Sequence, residues 1–262
     1  KVQVFEMNQK AILVVSFGTS HLDTLEKTIQ KMEDQIAEAF PDYKVYRAFT
    51  SGMILKKLKK KMDLHFMNVK EAMEQMLKDG IEIVAVQPTH IINGYENDKM
   101  LEDLKAYEGK FESITIGKPM LSDIEDYKKA IHAIIEDVFL EEDEYLILMG
   151  HGTEHHANSA YPALEYILQT LGYQHMHIAT VEGYPQLKDI LGKLEEEKAE
   201  KIVLLPFMFV AGDHAKNDMA GEEGSWKQEL EEAGYQVRTI IKGLGEMPSI
   251  RKIFMEHLEE SM

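Results

Sequence analysis

Cysteine is absent from this 262-residue chain. That gap excludes disulfide staples, thiolate metal sites and a cysteine nucleophile, and it fits the cytoplasm, the expected location. Long apolar runs are missing too. The longest, residues 11–17, is strand length and ends at Gly18, far short of the roughly 20 residues a membrane helix needs. Residues 1–6 carry no apolar core of a signal peptide and Met7 can serve as the natural start, so the fold is expected to begin after this stretch; a signal removed earlier stays open. Basic residues are scarce, 29 Lys and Arg against 46 Asp and Glu, for a net charge of −17. Binding of nucleic acid or an anionic membrane needs clustered cations facing phosphates, so neither is an expected partner. There is no Walker loop, no G-x-G-x-x-G behind the first strand, no H-E-x-x-H and no G-x-S-x-G elbow. Gly243-Leu244-Gly245 comes late, before the last helix, and no organic cofactor is expected.

What is present is a regular grammar. Hydrophobic residues make up 44% of the chain and charged residues 29%, enough for a large core in an ordinary globular protein. Short β-branched runs alternate with segments of helical period. After the strand at 11–16, Leu22, Leu25, Ile29, Met32 and Ile36 recur at steps of three and four, which predicts one amphipathic helix, with Ser20 and Asp23 as its capping box. Strands at 44–49, 81–87 and 113–117 and helices at 52–62, 69–78 and 98–107 continue the series. Ser122 and Glu125 are expected to cap the next helix. A second series follows, with strands at 145–149, 176–181, 202–207 and 236–241 and helices at 162–171, 186–198, 226–233 and 249–258. The expected fold class is α/β, two lobes that each hold a parallel sheet flanked by helices, with the active site in the cleft between them. The lobes are placed at residues 10–121 and 122–262, the last helix packing back on the first.

An internal echo supports two related halves. Val15-Ser16-Phe17-Gly18-Thr19 after the first strand is matched by Met149-Gly150-His151-Gly152-Thr153, and the stretch 84–94 by 203–212.

Ligands of open parallel sheets sit outside the carboxyl ends of the strands. In the second half those positions hold His151, Glu182 and His214, one βα unit apart from one another. Two imidazoles and a carboxylate suit a borderline divalent ion. The same residues would equally serve to cap helix ends, with Glu182 greeting a helix N-terminus. His175 and His177 are placed on the N-terminal half of their strand, away from the cleft; His155 and His156 stay open as ligands or proton shuttles. Lys56, Lys57, Lys59, Lys60 and Lys61 form the one dense basic run. It reads first as a solvated helix face and second as a surface for a polyanion. Arg47, with Thr50 and Ser51 close by, is the better-placed anion donor on this reading.

Several strings together resemble the CbiK-type anaerobic cobalt chelatases of the class II chelatase group. They are residues 15–20 (VSFGTS), 47–53 (RAFTSGM), 90–94 (HIING), 149–152 (MGHG), the pair His155-His156, 181–185 (VEGYP) and 210–219 (VAGDHAKNDM). The resemblance runs from about Lys10 to the C-terminus. It implies the two-lobed ferrochelatase fold and insertion of Co²⁺ into sirohydrochlorin, the step that commits the tetrapyrrole to anaerobic cobalamin synthesis. By the same resemblance His151, Glu182 and His214 hold the metal, and His151 and Glu182 are the catalytic pair, His151 accepting pyrrole protons. Ser16, Thr19, Arg47, Ser51 and His90 are the candidate substrate-binding residues. The family often has Ser where this chain has Gly183. The rival readings are a ferrochelatase acting on sirohydrochlorin or a porphyrin, a non-catalytic metal or tetrapyrrole binding protein, and a metal-assisted hydrolase. A homo-oligomer is compatible with all of them.

Overall fold

The structure, a computed structural model, describes residues 9–262; the reading of residues 1–6 and Met7 lies outside them. Its first half runs β1 (Lys10–Ser16), α1 (Leu22–Lys27), α2 (Ile29–Ala39), β2 (Tyr43–Phe49), α3 (Gly52–Met62), α4 (Val69–Lys78), β3 (Ile83–Pro88), α5 (Tyr95–Lys105) and β4 (Ser113–Ile116). The second half runs α6 (Ile124–Asp137), β5 (Glu144–Gly150), α7 (Ala160–Thr170), β6 (Met176–Thr180), α8 (Leu187–Glu196), β7 (Lys201–Pro206), α9 (Trp226–Glu232), β8 (Gln236–Thr239) and α10 (Pro248–Ser261).

Each half forms one four-stranded parallel sheet, ordered β2-β1-β3-β4 and β6-β5-β7-β8. Parallel strands need both faces covered, and the central strands show it. Ala11, Leu13 and Val15 of β1 face a cluster with Val69, Met73 and Met76 of α4 and Met100 of α5. Ile12 and Val14 point the other way. They join a core that holds Ile29, Met32 and Ile36 of α2, Ile131 and Ile134 of α6, Leu146 and Leu148 of β5, Leu164 and Leu168 of α7, and Ile253, Phe254 and Leu258 of α10. One apolar core therefore runs through both sheets, while Ile147 and Met149 face a third cluster under α8 and α9. Burying one side chain such as Phe254, 0% exposed, is worth roughly 1.5–3 kcal/mol.

The last helix ties the halves together. It packs on α6, β3 and β4. Buried His257 places Nε2 2.8 Å from Asp126 of α6 and Nδ1 3.0 Å from the Lys118 carbonyl.

Three local expectations are corrected. The single helix foreseen from residue 22 to 36 breaks at Thr28 (φ −119°, ψ −80°) into α1 and α2. The Thr28 hydroxyl donates to the Thr24 carbonyl at 2.7 Å, and Gly245 approaches so closely that a Cβ there would stand 2.9 Å from Thr28 Cβ. Ser20 and Asp23 form no capping box; His21 is the N-cap, its N–H donating to Thr19 Oγ1. The box before α6 is Asp123 with Asp126, one residue later than Ser122 with Glu125.

Candidate metal centre and cleft

The ends of β5 and β6 are stitched together by backbone bonds. Val181 N–H donates to Gly150 O at 3.0 Å and Glu182 N–H to His151 O at 2.8 Å. Two glycines let these loops touch. Gly152 has φ +78°, and a Cβ on it would lie 2.3 Å from Gly183 N. A Cβ on Gly183 would meet Asn158 Oδ1 at 2.1 Å and Gly152 Cα at 2.9 Å. Asn158 completes the join, accepting from Thr153 N–H and donating to the Tyr184 carbonyl. The serine common in the resembled family would not fit here without displacement.

His151 and Glu182 are thereby fixed side by side, His151 Nε2 lying 3.7 Å from Glu182 Oε2. His214 comes from a π-helical turn, His214–Met219, after β7. Its ring sits edge-on to that of His151, with centroids 4.5 Å apart. One ligand atom from each of the three residues falls within 4.8 Å of the others.

Hydrogen bonds choose the nitrogen each imidazole presents. His151 Nδ1 lies 2.8 Å from the Gly152 carbonyl, which accepts a hydrogen bond from its N–H and leaves Nε2 as the ligand nitrogen, on the side of Glu182. His214 Nδ1 lies 2.5 Å from Asp218 Oδ2, the carboxylate–imidazole arrangement that orients a metal-ligating histidine. Sites of two His and one carboxylate leave coordination positions open for a further ligand.

The trio lies on one wall of a cleft of about 750 Å³ between the lobes. The facing wall carries Ser16, Thr19, Ser51 and His90, together with Met53, Tyr95 and Glu96, while Met208 and Phe209 supply apolar surface beside His214. The hydroxyls on this wall also hold the fold. Ser16 Oγ accepts from Thr89, Thr19 Oγ1 from the His21 N–H and Ser51 Oγ from Ile54 N–H as the N-cap of α3. His90 is 8% exposed and neither ring nitrogen has a hydrogen-bond partner. Burial pushes its pKa down to about 4, against a smaller opposing pull from Asn97, so it is a neutral ring near pH 7. Glu96 Oε2 is likewise buried without a partner.

Arg47 is the correction. The structure does not bring it to the cleft. Along β2, Tyr46 and Ala48 face the α4 side, so Arg47 shares the opposite face with Val45 and Phe49, under α2. There it lines a separate pocket of about 320 Å³. Its Nε lies 2.8 Å from Glu33 Oε2 and one Nη 2.8 Å from Gln30 Oε1. Burial raises the Glu33 pKa, and the Arg47 guanidinium partly offsets that.

The remaining histidines sort themselves. His155 is buried and its Nε2 reaches across the cleft to Asp98 of α5 at 2.8 Å, with His156 beside it at a ring distance of 4.1 Å. His175 stacks on Tyr145. His177 is wholly buried between Glu165 (2.6 Å) and Glu197 (3.0 Å). A second strap crosses the other rim, where His21 and Lys57 of the first lobe pair with Asp213 at 2.7 and 3.3 Å. The His21 hydrogen bond, then Lys57, holds Asp213 below the usual carboxylate range.

Met53, Tyr95, Glu96, Met208 and Phe209 were not singled out from sequence. A signal for Glu96 existed in the echo: it stands eight residues past Pro88, the last residue of β3, as His214 stands eight past Pro206, the last of β7.

The description "cobalt chelatase (CbiK)" belongs to a protein family that matches the chain over residues 10–262. The chain belongs to this family. Another chelatase, the sirohydrochlorin cobaltochelatase of Salmonella typhimurium, is 38% identical to it over 256 residues, 97% of each chain. The sirohydrochlorin cobaltochelatase CbiKC of Nitratidesulfovibrio vulgaris is 32% identical over 264 residues, 98% of this chain and 92% of the relative. Among solved structures, this cobalt chelatase shares its fold with SirB from Bacillus subtilis (TM-score 0.64, 15% identity, 97% of this chain and 95% of that one). It also shares it with CbiX, described as the terminal enzyme for biosynthesis of siroheme in denitrifying bacteria (TM-score 0.56, 17% identity, 97% and 100%). The two-lobed chelatase fold is thus the fold of this chain.

Proposed function

We propose that this protein is a sirohydrochlorin cobaltochelatase that inserts Co²⁺ into the metal-free ring with release of two pyrrole protons, in anaerobic cobalamin synthesis. The observation that carries the reading is the convergence of His151, Glu182 and His214 at the wall of an interlobe cleft, in a chain of the cobalt chelatase family. The cleft volume lies within the range usual for small-molecule sites.

The chemistry follows from the donor set. Co²⁺ arrives as a hydrated ion, and exchange of water for His151, Glu182 and His214 removes part of its shell while leaving positions for ring nitrogens. The ring lies across the cleft, its face against Phe17, Met53 and Phe209 and its pyrrole nitrogens toward the ion. As the ion passes from protein donors to the ring, two N–H bonds break. His151 Nε2 takes one proton and the Glu182 carboxylate the other, so that two protons leave for each ion inserted. His90, neutral on the opposite wall, offers an uncharged polar contact to the ring. Glu182 attracts the cation and repels the ring's carboxylates, so the arms of the ring are held away from the triad. The reaction needs no organic cofactor, and we place it in the cytoplasm.

Anaerobic absorbance of sirohydrochlorin with the protein and Co²⁺, Fe²⁺ or Ni²⁺ tests this. Catalysed conversion with Co²⁺, abolished in His151→Ala, is the expected result. Faster conversion with Fe²⁺ would make the enzyme a ferrochelatase. Ring binding with no metallation above the uncatalysed rate would overturn the enzyme reading.

A further inference from the structure

The substrate of the proposed reaction is a polycarboxylate, and the protein carries a net charge of −17. Long-range Coulomb forces between the two are repulsive, so capture of the ring needs a local surface of opposite sign. Arg47, the donor that the sequence suggested for this task, is committed to Glu33 on the far side of the sheet. The cleft lining carries the carboxylates of Glu96, Glu154, Glu182 and Asp213 beside its hydroxyls, imidazoles and apolar side chains, and no Lys or Arg. A different group has to meet the carboxylates.

Five of the six residues from 56 to 61 are lysine, and they lie on α3, whose N-terminal turn contributes Met53 and Ile54 to the cleft lining. Met53, Lys56, Lys57, Lys60 and Lys61 follow one another at helical steps of three and four, so they share one face. The stripe begins at the cleft with Met53, which is 82% exposed. Lys57 fixes its direction: its Nζ lies 3.3 Å from Asp213 Oδ2, the residue next to His214, so the stripe passes the rim of the cleft on the metal side. At 1.5 Å per residue, Lys60 and Lys61 stand roughly 10–12 Å along the helix from Met53, within reach of the acid arms of a macrocycle projecting from the cleft.

Of the lysines on this stripe only Lys57 is paired with a carboxylate, that of Asp213. Lys56, Lys60 and Lys61 are exposed and make no ion pair among the described residues. Like charges at steps of four destabilise a helix by a few tenths of a kcal/mol per pair. This helix keeps Lys56 beside Lys60 and Lys57 beside Lys61 in an otherwise acidic protein.

We propose that the basic face of α3, formed by Lys56, Lys57, Lys60 and Lys61, is the docking surface for the peripheral carboxylates of the tetrapyrrole, beginning at the cleft rim beside Asp213. This deepens the chelatase reading and rests on it. The face sets affinity for the polyanionic ring and leaves metal insertion to the triad. It therefore selects rings rich in acid arms over rings with few, and its pull weakens as salt screens it.

The test is the affinity of the metal-free ring, read from the quenching of sirohydrochlorin fluorescence under anaerobic conditions at low and high salt. Lys60→Glu/Lys61→Glu is expected to weaken binding about tenfold at low salt, since two attractions become two repulsions, and to flatten the salt dependence. A porphyrin bearing only two acid arms should lose less affinity. The control Lys31→Glu/Lys252→Glu changes net charge equally, on exposed residues of α2 and α10, and should stay within twofold of the unaltered protein. In turnover, the α3 variant should raise KM with kcat within twofold. Unchanged ring affinity in the α3 variant, or an equal loss in the control, would overturn the proposal. Absence of metallation by the unaltered protein would instead sink the chelatase reading, because ring affinity is measured without turnover.

Discussion

The two lobes share one plan and differ in what stands at the strand ends. In each, the central strand is flanked by the next two strands in the same order. One residue past the central strand stands Phe17 in the first lobe and His151 in the second. Two past the following strand stand Ser51 and Glu182, and eight past the third stand Glu96 and His214. Three matched positions thus give an aromatic ring, a hydroxyl and a carboxylate on one side and a ligand set on the other. The scaffold sets where a side chain arrives, and the side chain decides whether that wall coordinates a cation or presses on a flat organic face. Histidine at two positions separates the two tasks.

That contrast can be broken most strongly at His151. His151→Ala is expected to lower the metallation rate by about 10²–10⁴-fold, whereas Phe17→Ala, its positional counterpart, should act mainly on ring affinity. Absorbance kinetics with separate titration of ring and Co²⁺ distinguishes the two, and equal loss of rate in both would erase the division of labour.

The next largest effect concerns stability and lies outside the cleft. His177 is desolvated, which alone would lower its pKa, but the hydrogen bonds it donates to Glu165 and then Glu197, with the charge of those carboxylates, win and raise it; Glu165 is correspondingly lowered despite its own burial. A raised folded-state pKa means that protonated His177 stabilises the fold fully below about pH 6.5, its unfolded value, and that this contribution fades as pH rises through the raised value. His177→Ala should cost about 3–5 kcal/mol at pH 6. The Tm gap between the two proteins should narrow in alkaline buffer; a gap that widens with pH would reverse the assignment. The first lobe has no counterpart to this buried trio among the described residues.

Asp218 offers a finer probe of the ligand wall. Asp218→Asn keeps the size of the side chain and removes its charge, and is expected to weaken Co²⁺ binding about 10–100-fold through the orientation of His214. Isothermal titration of Co²⁺ without the ring reads it directly, and an unchanged affinity would make the 2.5 Å contact a matter of folding alone. The smallest effect on function is expected at Arg47. Arg47→Ala should leave ring affinity within twofold while lowering stability by about 1–3 kcal/mol, because Glu33 keeps its burial and loses its partner. A loss of ring affinity in a folded Arg47→Ala protein would return that residue to the substrate.

Much of this is legible in the amino-acid sequence. The alternation of strands and helices follows from hydrophobic period alone, and the bounds of α3 and α4 coincide with those read from residues 52–62 and 69–78. The triad was visible because parallel strands all end on the same side, so that three chemically loaded residues one βα unit apart arrive together. What escaped depended on tertiary contact. The break at Thr28 leaves the apolar repeat of Leu25, Ile29 and Met32 intact, and it falls where Gly245, more than 200 residues away, packs against the chain. Arg47 was misplaced because nearness to a strand end says nothing about which face a side chain takes; the pleat, fixed by the pairing of Val14 with Arg47, turns it under α2. At α6, Ser122-x-x-Glu125 and Asp123-x-x-Asp126 are overlapping boxes. The structure uses the second, with Asp126 Oδ2 accepting from both the Ser122 and the Asp123 N–H.

All three proposed cation donors belong to a single lobe, whereas the cleft needs both and is strapped at its rims by His155 with Asp98 and by His21 with Asp213. On the proposed reading the ion and the macrocycle have separate loading steps, because a motion that parts the lobes would leave all three donors together on one of them.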